Sequence, residues 1–249
     1  MGQYLTGSFY AITDIGKVRS NNEDFADKRI NAFGNVLLVV CDGMGGANKG
    51  DYASSYIGKY LCKKFVEMED ELKNEKQYEK WLYKNINEAN RHIYEKAQSK
   101  AEFAGMGTTL SVAIIVKDKL ITAQVGDSRI YRLGEDKKLE QISVDQTYVE
   151  HLKNSKEISQ SDIASHPDRH KLTNAIGVRK DALVDLRSFE YHNEIIFLCS
   201  DGLYNNVSKS DIASVLKSKD SVERKGKQLI MFGNVNGGSD NMALVIWEK

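Results

Sequence analysis

The stretch "GTTLSVAIIVKDKLITAQV" (107–125) decides the fold class. Two runs rich in Thr, Val, Ile and Leu flank Lys117-Asp118, and the pair predicts two strands joined by a tight turn. "SRIYRL" (128–133) and "KLEQIS" (138–143) repeat the arrangement around "GEDK" (134–137). "ALVDLRSFEY" (182–191), "EIIFLCS" (194–200) and "NMALVIWEK" (241–249) read as further strands.

The helices come in two batches. Apolar residues at 53, 57, 60, 61, 65 and 68 predict a helix over about 51–68 with one buried stripe. Tyr78, Leu82, Ile86, Ala89, Ile93 and Ala97 share a face of a second, over 75–99; its charged residues form the solvated side. Ser208 with Asp211 marks the start of a helix over 209–217, and another covers about 220–232. Residues 143–182 are polar and irregular, with a short helix near 147–153. Hairpins and batched helices argue for an α+β fold built on an antiparallel sheet or sandwich covered by helices, and against a doubly wound parallel sheet.

Composition bounds the function. The chain has 249 residues, enough for a substantial core, and one proline, with no linker, repeat or low-complexity tract. Lys+Arg and Asp+Glu both number 35, so net charge gives no argument for nucleic acid or an anionic membrane. No apolar run approaches the ~18 residues that span a bilayer, and no secretory signal is read in "MGQYLTGSFY". Gly2 and Thr6 fit the myristoylation pattern, a short match that arises often by accident. Three cysteines without a CxxC pair suggest reduced thiols and a cytoplasmic protein.

The chemistry centres on "NVLLVVCDGMGGANKG" (35–50), where an apolar run delivers the chain to Cys41 and Asp42. A Walker loop fails: the residue five after Gly43 is Asn48, and Gly50, five after Gly45, precedes Asp51 rather than Lys. The dinucleotide fingerprint fails at Asn48 as well. A C-x5-R phosphatase loop fails at Ala47, Met68 and Asn205, which leaves Cys41 and Cys199 as small core residues. No D-x-D is present for an aspartate nucleophile.

What remains is a set of carboxylates. "VLLVVCDG", "ITAQVGDS" and "EIIFLCSDG" each end a β-rich run in an aspartate beside glycine or serine. "GGSDNM" supplies Asp240, and "NNED" sets Glu23 and Asp24 shortly after Arg19. One such aspartate alone is most simply a turn or cap residue. Several gathered at one end of a sheet would repel unless cations neutralise them. All-oxygen ligands favour Mg²⁺ or Mn²⁺ over Zn²⁺. His166 and His170 are separated by Pro167 and are not expected to bind zinc.

Taken together, "TDIGKVRSNNED" (13–24), "VVCDGMGGANKGDYAS" (39–54), "GTTLSVAII" (107–115), "QVGDSRIYRL" (124–133), "SVDQTYVEHL" (143–152), "HPDRHKLTNAIG" (166–177), "FLCSDGLYNNVS" (197–208) and "GGSDNMALVI" (237–246) resemble the metal-dependent serine/threonine phosphatases of the protein phosphatase 2C family. The likeness covers nearly the whole chain and is greatest to short bacterial members. It implies a single catalytic domain over 1–249: a central antiparallel β-sandwich with helices on both sides, and a flap at about 143–182.

By the same resemblance, Asp42 bridges two Mn²⁺ or Mg²⁺ ions and Gly43 ligates one through its carbonyl. Asp201 and Asp240 complete the first site, and Glu23 lies near the second. Asp127 with Asp201 matches a weaker third site. Asp24 and Asn241 support these ligands, and Arg19 matches the arginine that holds the substrate phosphate. The chemistry implied is hydrolysis of phosphoserine and phosphothreonine by metal-activated water, with no covalent phosphoenzyme.

Two departures stand out. Animal members often carry a proposed general-acid histidine where this chain has Met44, and Gln146 and Asn174 replace a frequent His and Arg. The expected partners are phosphorylated proteins and a counterpart serine/threonine kinase, with no nucleic acid and no membrane segment, and a monomer is expected. A phosphatase of an anti-sigma-factor antagonist is the alternative. A catalytically silent binding module is a third reading, which the presence of Asp42, Asp201 and Asp240 disfavours.

Overall fold

The computed structural model describes residues 6–45, 49–136, 138–159 and 161–249. Gly2 of the lipidation pattern and Gly46, Ala47 and Asn48 of the glycine loop lie outside the described residues.

Two antiparallel sheets lie face to face. One has the order β1 (Ser8–Asp14), β11 (Met242–Glu248), β10 (Ile195–Cys199), β7 (Arg129–Leu133), β8 (Leu139–Gln141). The other runs β2 (Asp24–Ile30), β3 (Val36–Met44), β5 (Leu110–Val116), β6 (Lys119–Val125), β9 (Asp185–Glu190), with the two-residue β4 (Gly107–Thr108) on the end of β3. The hairpin expected at Lys117-Asp118 joins β5 to β6, with Val116 opposite Lys119 and Lys117 in the left-handed region at φ 54°.

The continuous apolar run of β3 follows from burial on both faces. Val36, Leu38 and Val40 face the space between the sheets, beside Ala113, Ile196, Leu198, Val245 and Trp247. Leu37, Val39 and Cys41 face α1 (Gly50–Val66) and α2 (Glu75–Ser99), whose stripes carry Ile57, Leu61, Leu82 and Ile86. On the other side α5 (Lys209–Lys217) and α6 (Val222–Val235) cover Phe197, Leu244 and Ile246. The layers are therefore helix, sheet, sheet, helix, as expected.

Between β8 and β9 lie α3 (Tyr148–Asn154) and a short 3₁₀ turn, Ile163–Ser165. The expected helix start at Ser208 holds, its Oγ accepting from the Asp211 amide at 3.1 Å; Asn74, not singled out in the sequence, caps α2. One expected run is broken. Thr109 interrupts "GTTLSVAIIV" between β4 and β5 because its hydroxyl accepts the Asp42 amide at 2.9 Å. β1 and β2 carried no strand assignment; both are partly buried edge strands, and β2, "DFADKRI", is largely charged.

Candidate active site

Strand parity aims the key carboxylates. In β3 the positions facing the other sheet are 36, 38 and 40, and Asp42 continues that alternation past the end of the apolar core. Across the ladder Asp24 pairs directly with Asp42. Like charges opposed in this way destabilise a sheet unless a proton or a cation intervenes. Ser200, at the end of β10, approaches from the other sheet and donates to Asp24 Oδ2 at 2.6 Å. Asp201 follows, opening the single turn α4 (Asp201–Tyr204), and Asp42 is in hydrogen-bond contact with it.

The electrostatics record this convergence. Burial, then the charges of Asp24, Asp201 and Asp127, pushes the Asp42 carboxyl well above the usual carboxylate range. Burial lifts Asp24 to about 8, with Ser200 opposing and Asp201, Asp240 and Glu23 adding to the rise. Asp127 rises to about 7 through burial and the charge of Asp201. Asp201 is raised by burial and then Asp240, and Glu23 by burial and then Asp51. Among the described residues no three His, Cys, Asp or Glu side chains stand in ready-made ligand geometry. The donor chemistry nevertheless fits a hard divalent cation: clustered, desolvated carboxylates, with one imidazole, that of His170, beside them.

The remaining residues close the same end of the sandwich. Asp240 Oδ2 accepts from Arg19 Nη2 at 2.8 Å, and the Arg19 side chain is 55% exposed, at the rim. Asn241, 6% exposed, accepts the Glu23 amide at 2.9 Å and donates to the carbonyls of Ile15 and Asn21, each at 2.9 Å. It staples the 15–23 loop to Asp240. The Glu23 carbonyl accepts from the Gly43 amide and from Ser54 Oγ. At Gly43 the backbones crowd: a Cβ there would lie 2.4 Å from the Gly50 carbonyl oxygen and 2.5 Å from that of Glu23. Only glycine fits.

A cleft of about 1090 Å³ adjoins the cluster, lined among others by Arg19, Asp127, Arg169, His170, Asp201 and Asp240, whereas Glu23, Asp24 and Asp42 are not among its lining residues. His170 comes from the segment expected as a flap, and its Nδ1 stands 3.9 Å from Asp201 Oδ2. From the sequence, His170 is considered only as a zinc ligand, and nothing in its spacing places it beside Asp201. Thr108, Thr109, Ser200, Arg129 and Tyr204 were likewise not singled out, although each adjoins a marked aspartate in sequence or pairing. Thr108 Oγ1 donates to the Asp42 carbonyl at 2.9 Å.

The two departures have structural roles. Gln146 Oε1 accepts from the Gly126 amide at 2.9 Å and from Asn174 Nδ2 at 2.7 Å, and Asn174 also donates to the Leu183 carbonyl. The pair ties the 143–182 segment to the turn before Asp127. Met44 pairs with Gly107 across the β3–β4 ladder, and its Cε lies over that glycine.

Known proteins resemble this chain in sequence and fold. The family model "Protein phosphatase 2C" matches residues 17–236. A serine/threonine phosphatase of Listeria welshimeri is 37% identical over 238 residues, 95% of this chain and 94% of that protein. The structure of the S. agalactiae serine/threonine phosphatase superposes with a TM-score of 0.91 at 32% identity, covering 98% of this chain and 99% of that one. Serine/threonine phosphatase Stp1 from Staphylococcus aureus gives 0.91 at 32% identity, over 100% and 97%. Fold and sequence agree with these proteins over almost the full length, and the chain belongs to the protein phosphatase 2C family.

Proposed function

We propose that this protein hydrolyses phosphoserine and phosphothreonine in proteins, as a protein serine/threonine phosphatase in one catalytic domain whose flap is the 143–182 segment. The observation that carries the reading is the cross-strand pair Asp24 and Asp42 at the end of the sandwich, in electrostatic contact with Asp201, which lines the adjoining cleft with Asp127, Asp240 and Arg19. Asp42, the Gly43 carbonyl, Asp201, Asp240 and Glu23 would hold two Mn²⁺ or Mg²⁺ ions, and Asp127 with Asp201 a third, with Asp24 and Asn241 supporting them. Divalent cations bound there would activate water and neutralise charge developing on the phosphoryl oxygens.

In the reaction, water adds to phosphorus, the bond from phosphorus to the seryl or threonyl oxygen breaks, and that oxygen leaves with a proton. Arg19 binds the phosphoryl group. Asp240 holds its guanidinium at the rim through one donor, leaving others to grip phosphoryl oxygens. Met44 has no proton to give to the leaving oxygen. Asn241 and the Gly43–Glu23 backbone contact keep the carboxylate loops in register.

A serine/threonine kinase is the natural counterpart of this activity, and the chain acts as a monomer. Among the described residues no helix is long and apolar enough to cross a membrane. Three buried free thiols, Cys41, Cys62 and Cys199, support a reducing, cytoplasmic setting. The test is hydrolysis of an aryl phosphate with added Mn²⁺. Stimulation by the metal and loss with chelator are expected; full activity in chelator would overturn the reading.

A further inference from the structure

Asp127 and Asp201 reach the cleft on different loops. Asp127 lies in the turn between β6 and β7, and Asp201 opens α4 after β10. No single element sets their spacing, but one side chain joins them. Tyr204 sits on the same turn as Asp201, and its hydroxyl stands 3.1 Å from the Asp127 carbonyl oxygen and 3.4 Å from Asp127 Oδ2.

The ring that carries this hydroxyl is itself fixed. The Arg129 guanidinium lies 3.6 Å from the Tyr204 ring centroid. Arg129 is held in turn by Asp145, at 3.0 Å from Nε and 2.7 Å from Nη2, and Gln141 Nε2 donates to Asp145 at 2.7 Å. Arg129 stands two residues from Asp127 yet commits its hydrogen bonds to Asp145 and Tyr131. The Asp127 carboxyl is thus approached by the Tyr204 phenol, while the neighbouring guanidinium makes its hydrogen bonds to Asp145 and Tyr131.

We propose that Tyr204 is a positioning residue: its hydroxyl, braced by Arg129, sets the placement of Asp127 relative to Asp201 and thereby the affinity for the most weakly held divalent cation. The inference rests on the phosphatase reading above. Replacing the phenol by a ring without oxygen would leave the stack on Arg129 in place and free the carboxyl to swing.

The experiment titrates Mn²⁺ into the full-length protein, with binding followed by calorimetry and free Mn²⁺ counted by electron paramagnetic resonance. Parent, Tyr204→Phe, Asp127→Asn and the double variant are compared, with thermal unfolding and phosphothreonine hydrolysis measured on each. Tyr204→Phe is expected to weaken the weakest Mn²⁺ event by about 2- to 12-fold, the range for losing one neutral hydrogen bond. The tighter events should not move, the unfolding temperature should fall by no more than about 5 °C, and Tyr204→Phe should add nothing to the Mn²⁺ effect in the Asp127→Asn background. Equal weakening of every event, or additive losses in the double variant, would overturn the proposal in favour of a general structural role. If the parent binds Mn²⁺ and hydrolyses phosphothreonine while Tyr204→Phe matches it throughout, this inference alone fails. A parent that binds no Mn²⁺ overturns the phosphatase reading with it.

Discussion

Replacing Asp24 by Asn should stabilise the metal-free protein at alkaline pH. Asp24 opposes Asp42 across the β2–β3 ladder, and its carboxyl is raised from 3.8 to about 8 by burial and neighbouring acids. A carboxyl whose folded value exceeds its unfolded value favours the folded state when protonated. Its contribution is therefore complete below the unfolded pKa and declines as pH rises, until the folded group ionises near 8. Between pH 5 and pH 8 the decline spans about 3 units at 1.36 kcal/mol each, so roughly 4 kcal/mol for an isolated group and less where Asp42 shares the same proton. Asparagine does not titrate, and its oxygen can still accept from Ser200. In chelator, the parent should lose stability over this window, and Asp24→Asn should lose roughly 2–4 kcal/mol less, a difference of order 5–15 °C in unfolding temperature. Mn²⁺ at pH 8 should restore the parent more than the variant, because the cation binds the ionised cluster. Thermal unfolding at both pH values, with chelator and with Mn²⁺, gives four numbers for each protein. Parallel pH slopes for parent and variant in chelator would refute the reasoning.

Other substitutions probe separate parts of the site. Arg19→Ala should raise KM for a phosphopeptide by roughly 10- to 100-fold, the worth of one or two charge-assisted hydrogen bonds, with little change in unfolding temperature; steady-state kinetics check it. Gly43→Ala drives a methyl into the carbonyls of Gly50 and Glu23, and should cost about 3 kcal/mol or more in urea unfolding as well as Mn²⁺ affinity.

Much of this was legible in the sequence because the signals were local. The apolar run from Val36 to Val40 and the stripe from Tyr78 to Ala97 required burial, and each aspartate at a strand end was visible as a break in that run. β1 and β2 were not legible. Edge strands pair on one side and stay half exposed, so charged residues such as Asp27, Lys28 and Arg29 cost little there and erase the pattern. Convergence was a matter of register: that Asp24 faces Asp42 depends on how β2 pairs with β3, which no spacing states. The Tyr204–Asp127 contact spans 77 positions of sequence, and neither residue's neighbours announce the other.

The central claim, that clustered carboxylates at the sandwich end carry a metal-dependent phosphatase, is tested most directly by phosphate release from a phosphothreonine peptide across a Mn²⁺ titration. Parent and Asp42→Asn are run side by side. The account predicts saturable activation of the parent, abolition by chelator, and a loss of at least ~100-fold in Asp42→Asn that added Mn²⁺ does not recover. Parent-level release by Asp42→Asn, or release by the parent that ignores Mn²⁺ and chelator alike, would contradict it.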